Sequence, residues 1–223
     1  LAYKNILLSI SNESDFKYFR PMISKDNDQF QEPFTEYGVY SYADYLTWEI
    51  DEMVELIKGK VFRSAAAAPR RRHQEVSGKL YAMILFHLQH NTCKAFIAPF
   101  DVRLPVKSKK NEDIFTVVQP DICVVCDRIK LDDAGCVGAP DLIVEVLSPG
   151  NNKKELKYKY EVYEQSGVAE YWIIHPNEET LLIYTLTKGK YVPSRLFTWG
   201  DVVKSAVIEG FELDLEEFFK DLD

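Results

Sequence analysis

Residues 118–163 read VQPDICVVCDRIKLDDAGCVGAPDLIVEVLSPGNNKKELKYKYEVY, and the fold turns on how this stretch is read. It holds two apolar runs of strand length, each carrying one acid, Asp121 and Glu145. Pro120 lacks an N–H donor, which puts Asp121 at a strand entrance. Side chains alternate along a strand, so Asp121 is expected to share a face with Cys123 and Val125, and Glu145 with Ile143 and Leu147. Pro149, Gly150 and Asn151 then break the chain. Residues 153–167 take helical spacing, with Gly167 as the stop. VAEYWIIHP at 168–176 reads as the next strand. Strand, helix and strand in that order predict a parallel pair joined by a right-handed crossover.

On the N-terminal side, HQEVSGKLYAMILFHLQH at 73–90 places Val76, Leu80, Met83, Ile84 and His87 on one helical face. Strands are expected over 93–106 and 116–127. A short helix fits 41–49, and VELIKGKVFRSA at 54–65 is a hairpin turning at Lys58-Gly59. Residues 1–35 are polar and weakly periodic, an extension to a single domain over 36–223. On the C-terminal side, a hairpin turns at Lys188-Gly189, and a strand and a short acidic–aromatic helix end the chain. The fold class is mixed α/β, with helices covering a sheet.

Composition narrows the function. The net charge of −8 argues against coating nucleic acid by bulk charge, though not against a local basic groove. Basic residues cluster at Arg70–Arg72, at Lys107, Lys109 and Lys110, and at Lys153, Lys154, Lys157 and Lys159; each cluster alone reads as solvated surface. No apolar window is long enough for a membrane span, and KNILLSI near the start is too short and wrongly flanked for a signal peptide. The four cysteines do not make a disulfide framework. Cys123 and Cys126 lie on opposite faces of one strand, so reduced thiols in a cytoplasmic protein are expected.

A carboxylate buried alone in a strand is strongly disfavoured by desolvation, so Glu145 needs a metal, a cation or a proton. Two acids on neighbouring strands beside a lysine-bearing helix suit phosphodiester hydrolysis: Mg²⁺ takes one or two carboxylates, with water and phosphate oxygens completing its shell. A lysine two residues after Glu145 would share its face, but that position is Leu147. On the following helix, Lys153 and Lys159 lie on opposite shoulders of the apolar stripe formed by Leu156, Tyr160, Tyr163 and Gly167, and angle alone does not separate them.

These words resemble the Uma-type restriction endonuclease family, a branch of the PD-(D/E)XK nuclease superfamily. The matching segments are VELIKGKVF, RRHQEVSGKLYAMILFHL, PFDVRLP, QPDICVV, GAPDLIVEVLSPG, KYKYEVYEQSGVAEYWIIHP and GFELDLEEFF. The resemblance implies an α-β-β-β-α-β core, with the N-terminal helix and hairpin and the C-terminal hairpin as additions. It implies a Mg²⁺ or Mn²⁺ site, with Asp121 and Glu145 as the motif acids and Lys159, rather than Lys153, as a lysine migrated to the helix. Glu55, Asp101 and His73 match lesser family positions. His73 faces the sheet and Glu75 points away from it; Asp101 could simply pair with Arg103. His175 and the turn at Gly150 and Glu155 depart from the family pattern.

The expected activity is therefore a metal-dependent DNA endonuclease. Asp121, Glu145 and the Val146 carbonyl would be metal ligands, Lys159 would act on water, and Glu55 would assist. Duplex DNA would be held at its phosphates, and a homodimer would suit cutting of both strands. The alternative is a non-catalytic DNA-binding or regulatory protein on a nuclease fold. A third reading makes the acids purely structural, paired with Arg103 or lysines.

Overall fold

The computed structural model describes residues 39–49, 53–63, 70–148, 153–220 and 222, and of residues 63 and 153–155 the backbone alone. The expected extension over 1–35, the alanine-rich linker and the break at Pro149-Gly150-Asn151 lie outside the described residues. The helices are α1 (Tyr42–Tyr45), α2 (Arg71–His87), α3 (Lys153–Ser166) and α4 (Leu215–Phe219). The strands are β1 (Val54–Ile57), β2 (Lys60–Arg63), β3 (Lys94–Ile97), β4 (Val102–Arg103), β5 (Val117–Val118), β6 (Ile122–Val125) and β7 (Leu131–Asp132). They continue as β8 (Gly135–Val137), β9 (Leu142–Val146), β10 (Glu170–His175), β11 (Thr180–Thr187), β12 (Lys190–Pro193), β13 (Val202–Lys204) and β14 (Glu212–Asp214).

The central sheet runs β12-β11-β10-β9-β6-β3, and β9 pairs with β10 in parallel, as the strand–helix–strand order predicts. A second sheet runs β2-β1-β5-β4-β8-β7, and β13 pairs with β14 alone. The alternation of the central strands separates two cores. Ile122, Val124, Leu142, Val144 and Trp172 face one way, against Val76, Leu80 and Ile84 of α2 and the aromatic side chains of α4. Cys123, Val125, Ile143 and Tyr171 face the other way, against Val162 and Tyr163 of α3 and the second sheet. Covered on both sides, β9 is buried at every position, which is why LIVEV is almost unbroken in its apolar character.

Two expected strands are each two. The run over 93–106 divides into β3 and β4, and the run over 116–127 into β5 and β6, with one half in each sheet. Pro99 and Pro120 fall at the divisions; neither donates a ladder hydrogen bond, so pairing stops and the chain changes sheets. Both hairpins turn where expected, with Lys58, Gly59, Lys188 and Gly189 at positive φ, the conformation of a tight two-residue turn. His87, the last residue on the α2 face, is exposed at the helix end, where its ring meets Phe211 and the Glu209 carbonyl.

The expectation of four reduced thiols is corrected. Cys93 is disulfide-bonded to Cys126, while Cys123 and Cys136 are free and buried. The reason is register. β3 and β6 are antiparallel with Lys94 opposite Val125, so one step further sets Cys93 against Cys126. Reading β6 alone finds the Cys123–Cys126 spacing and misses the partner across the ladder. No described helix is long and apolar enough to cross a membrane.

Leu80 is fully buried where α2 meets the sheet. Leu80→Ala is expected to destabilise the protein by about 2–5 kcal/mol, seen as a lower urea midpoint with an unchanged slope.

Candidate active site

The register of the central sheet assembles the site. β6 and β9 run antiparallel with Ile122 opposite Val144, and one further step sets Asp121 opposite Glu145. Just before the start of β6, Asp121 accepts a 2.7 Å hydrogen bond from the Val146 N–H through Oδ2. Its Oδ1 is 3.2 Å from Nε2 of His73, in the first turn of α2. Glu145 lies under α3. Its Oε1 accepts from Lys159 Nζ at 3.0 Å and from the Tyr163 hydroxyl at 2.8 Å. Lys159 and Tyr163 are four residues apart, so one helical face presents both donors.

The β1–β2 hairpin supplies a third acid. Glu55 on β1 lies 3.0 Å from the same Lys159 Nζ, and its Oε1 accepts from the Gln119 N–H at 2.7 Å. Lys58, at the hairpin turn, reaches Glu161 of α3 at 2.8 Å. That exposed pair contributes little stability but ties the hairpin to the helix carrying Lys159. Glu55, Glu145 and Lys159 are 8%, 7% and 5% exposed. Two buried carboxylates thus share one ammonium, with Asp121 beside them. Burial raises the pKa of Glu145, against the pull of Lys159, up to about 8; the charges of Asp121 and Glu55 push the same way. For His73, burial opposes the imidazolium, but the hydrogen bond and charge of Asp121 and a bond to the Val146 backbone outweigh it, and its pKa is raised.

Glu55, Asp121, Glu145, Val146 and Lys159 therefore occupy one place, and His73 joins them through Asp121. The Lys153 side chain lies outside the described residues, and Lys157 is exposed, as its position round the helix predicts. Other expectations are corrected. Asp101 is not paired with Arg103, which instead meets Asp132 across the second sheet. Asp101 Oδ1 accepts from Gln119 Nε2 at 2.8 Å, close to the site but not within it. Glu75 pairs with Arg71, and His175 ends β10 opposite Thr180. Sequence reasoning missed Tyr163 and Gln119. Tyr163 was visible only as an apolar stripe position, although a buried hydroxyl needs a partner.

The oxygen donors that could hold a cation are the Asp121 and Glu145 carboxylates and the Val146 carbonyl. Among the described residues no three His, Cys, Asp or Glu side chains form a ready-made cage. Mg²⁺ does not require one, since water and phosphate oxygens supply the rest of its shell.

A mixed sheet with helices on both faces, an α-β-β-β-α-β core and acids at one end of the central strand pair define a restriction-endonuclease-like fold. A crystal structure titled as a putative nuclease belonging to DUF820, from Anabaena variabilis ATCC 29413, has the same fold. Its TM-score is 0.63 at 19% identity, over 81% of this chain and 98% of that one. Residues 42–216 match the family described as "Uma2: Putative restriction endonuclease", and the chain belongs to that family. An uncharacterized protein of Synechocystis sp., slr1290, is 24% identical over 144 residues, 64% of this chain and 71% of that protein.

A carboxyl whose folded pKa lies above its unfolded value keeps its proton in the native state after the unfolded chain has lost it, so stability falls as pH rises between the two. For Glu145 that window runs from its ordinary 4.5 to about 8. In metal-free protein, urea denaturation should show the wild type losing stability relative to Glu145→Gln from pH 5 to pH 8. A constant difference between the two would contradict the burial of this acid.

Proposed function

We propose that the protein is a divalent-metal-dependent endonuclease hydrolysing phosphodiester bonds in DNA. The observation that carries the reading is the single buried ammonium of Lys159 shared by Glu55 and Glu145, one residue from the Val146 N–H that holds Asp121. A structural ion pair needs one carboxylate per ammonium. Here two carboxyl groups share one ammonium, burial favours the protonated form of Glu145, and a proton that a bound cation could displace sits among hard oxygen donors, the composition that suits Mg²⁺ or Mn²⁺.

Asp121, Glu145 and the Val146 carbonyl would hold the ion, which when bound supplies Lewis-acid polarisation of the phosphate and a more acidic water. The protein's own groups do the rest. The Val146 N–H fixes one oxygen of Asp121 and His73 sets the other. Tyr163 and Lys159 fix Glu145. Glu55, itself fixed by the Gln119 N–H, holds Lys159 from the far side. Lys159 is thereby placed to orient water or to meet charge developing on the phosphate.

Lys107, Lys109 and Lys110 are exposed and form no ion pair among the described residues, so they are the best candidates for phosphate contacts. Arg72 is not one: its guanidinium is bonded to the Pro176 and Leu222 carbonyls and to Glu179. Duplex substrate and a twofold dimer that cuts both strands belong to the same reading.

Asp121→Ala and Glu145→Ala are each expected to lower Mg²⁺-dependent cleavage of plasmid DNA by about 100-fold or more, with far-ultraviolet circular dichroism unchanged. Mn²⁺ titration calorimetry should give a binding signal in the wild type that both variants lose. Undiminished cutting by both variants would remove the assignment. No Mn²⁺ binding and no cutting by the wild type would favour a non-catalytic DNA-binding module.

A further inference from the structure

Helix α1 stands outside the α-β-β-β-α-β core, yet a chain of hydrogen bonds runs from it to Lys159. The hydroxyls of Tyr42 and Tyr45 hydrogen-bond the Asp101 carboxylate. Asp101 Oδ1 also accepts from Gln119 Nε2 at 2.8 Å, and the same Nε2 is 3.3 Å from the Tyr45 hydroxyl. The Gln119 N–H donates to Glu55 at 2.7 Å, and Glu55 lies 3.0 Å from Lys159 Nζ. We propose that α1 belongs to the working site: Tyr42, Tyr45, Asp101 and Gln119 are positioning residues for Glu55 and, through it, for Lys159. The proposal rests on the nuclease reading for what Lys159 does, but the placement of Lys159 can be measured apart from cleavage.

The sheet alone gives Glu55 little hold on the rest of the molecule. β1 is paired along its length with β2, but it meets β5 at one register pair, Leu56 with Val117. Gln119 falls between β5 and β6, where the chain changes sheets, and Pro120 beside it has no N–H. Neither strand's ladder includes Gln119. Its side chain supplies the fixing that the ladders do not, through Asp101 and Tyr45. Because Asp121 is two residues further on, the same clamp sets the approach to that acid.

Asp101 is placed to collect donors. Arg103, on the same strand stretch, is committed to Asp132 and lies over the Tyr42 ring. Two hydroxyls and one amide, all neutral, therefore converge on the Asp101 carboxylate. Burial pushes its pKa up, and the Gln119 bond, the Arg103 charge and the two tyrosines pull it back. Burial, then the charge of Asp101, pushes the Tyr45 hydroxyl up to about 12, so it keeps its proton to donate. Removing the acceptor would loosen all three donors at once.

The far end of the relay is rigid. Ser41 and Asp44 close a capping box on α1, and the Tyr42 N–H donates to the Ile114 carbonyl at 2.7 Å. Tyr42 packs in a core with Leu56, Ile114 and Val117, and its ring stacks on that of Tyr45. A side chain positions another only when it is itself held, and here the tyrosines are.

The test follows the lysine and the reaction separately. In metal-free protein, reductive methylation of Lys159 is timed by mass spectrometry against exposed Lys107. Asp101→Leu and the double variant Tyr42→Phe/Tyr45→Phe should each speed Lys159 labelling about tenfold. Asp101→Asn, which keeps one acceptor oxygen, should speed it about twofold. Lys79, held by the Glu217 and Phe218 carbonyls, should not change. In Mg²⁺-dependent plasmid cleavage, Asp101→Leu should lower kcat about 30-fold with KM within about twofold, and Asp101→Asn should recover most of the loss. In a Glu55→Gln background the same Asp101→Leu change should cost about twofold or less, because its effect passes through Glu55. Should Asp101→Leu not fold, the tyrosine double variant, which removes two oxygen atoms, decides in its place. Lys159 labelling unmoved by the variants, a kcat loss undiminished by Glu55→Gln, or a change confined to KM would overturn the proposal. A wild type that cuts no DNA but labels as described removes the nuclease reading and leaves the placement of Lys159 by α1. Cutting by the wild type, with labelling and kcat unmoved in the variants, removes the proposal only.

Discussion

The site depends on one ammonium held between two buried acids. Lys159 lies 3.0 Å from both Glu55 and Glu145, and all three are almost fully removed from water. Remove the lysine and two carboxylates face each other in a poorly polarisable interior, a situation proteins avoid by protonation or by structural change. The ammonium therefore fixes how three elements meet. β9 brings Glu145, the β1–β2 hairpin brings Glu55, and α3 lies across both. Tyr163, one turn further along α3, adds a second donor to the same Glu145 oxygen. Two carboxyl groups share one ammonium and burial favours the protonated form of one of them, which distinguishes the arrangement from an ordinary buried ion pair.

The fold around this point follows from two-sided burial. β6, β9 and β10 alternate their side chains between a core under α2 and a core under α3. Asp121 and Glu145 are opposite each other in register; Asp121 meets His73 of α2 and Glu145 meets Lys159 of α3. The Val146 N–H joins the two halves by donating to Asp121. Both helices thus contribute to one site, although they cover opposite faces of the sheet.

Much of this was legible in the sequence because periodicity and punctuation are local. The α2 stripe, the β9 run, the Gly167 stop and both Lys-Gly turns can be read within a few residues, and the strand–helix–strand order fixes the parallel pair. The acids stood out because LIVEV and PDICVV interrupt apolar runs. Features that depend on distant chain segments were not legible. The Cys93–Cys126 bond, the Arg103–Asp132 pair and the use of Gln119 as a link between Glu55 and Asp101 all join residues that the sheets, not the sequence, make neighbours. The passage of β3–β4 and β5–β6 between sheets was marked by Pro99 and Pro120, but a proline alone does not say where the chain goes next. Angle around α3 left Lys153 and Lys159 equal; similarity to a family, not helical geometry, favoured Lys159.

The central claim is that the carboxyl groups gathered about Lys159, those of Asp121, Glu145 and Glu55, serve to hold a divalent cation. Anomalous diffraction from crystals soaked in Mn²⁺ examines it directly. The account predicts a peak between the Asp121 and Glu145 carboxylates and the Val146 carbonyl, with Lys159 retained on Glu55. Density without a peak there, and with Lys159 still bridging Glu55 and Glu145 at saturating Mn²⁺, would contradict it and leave the cluster as a structural ion network.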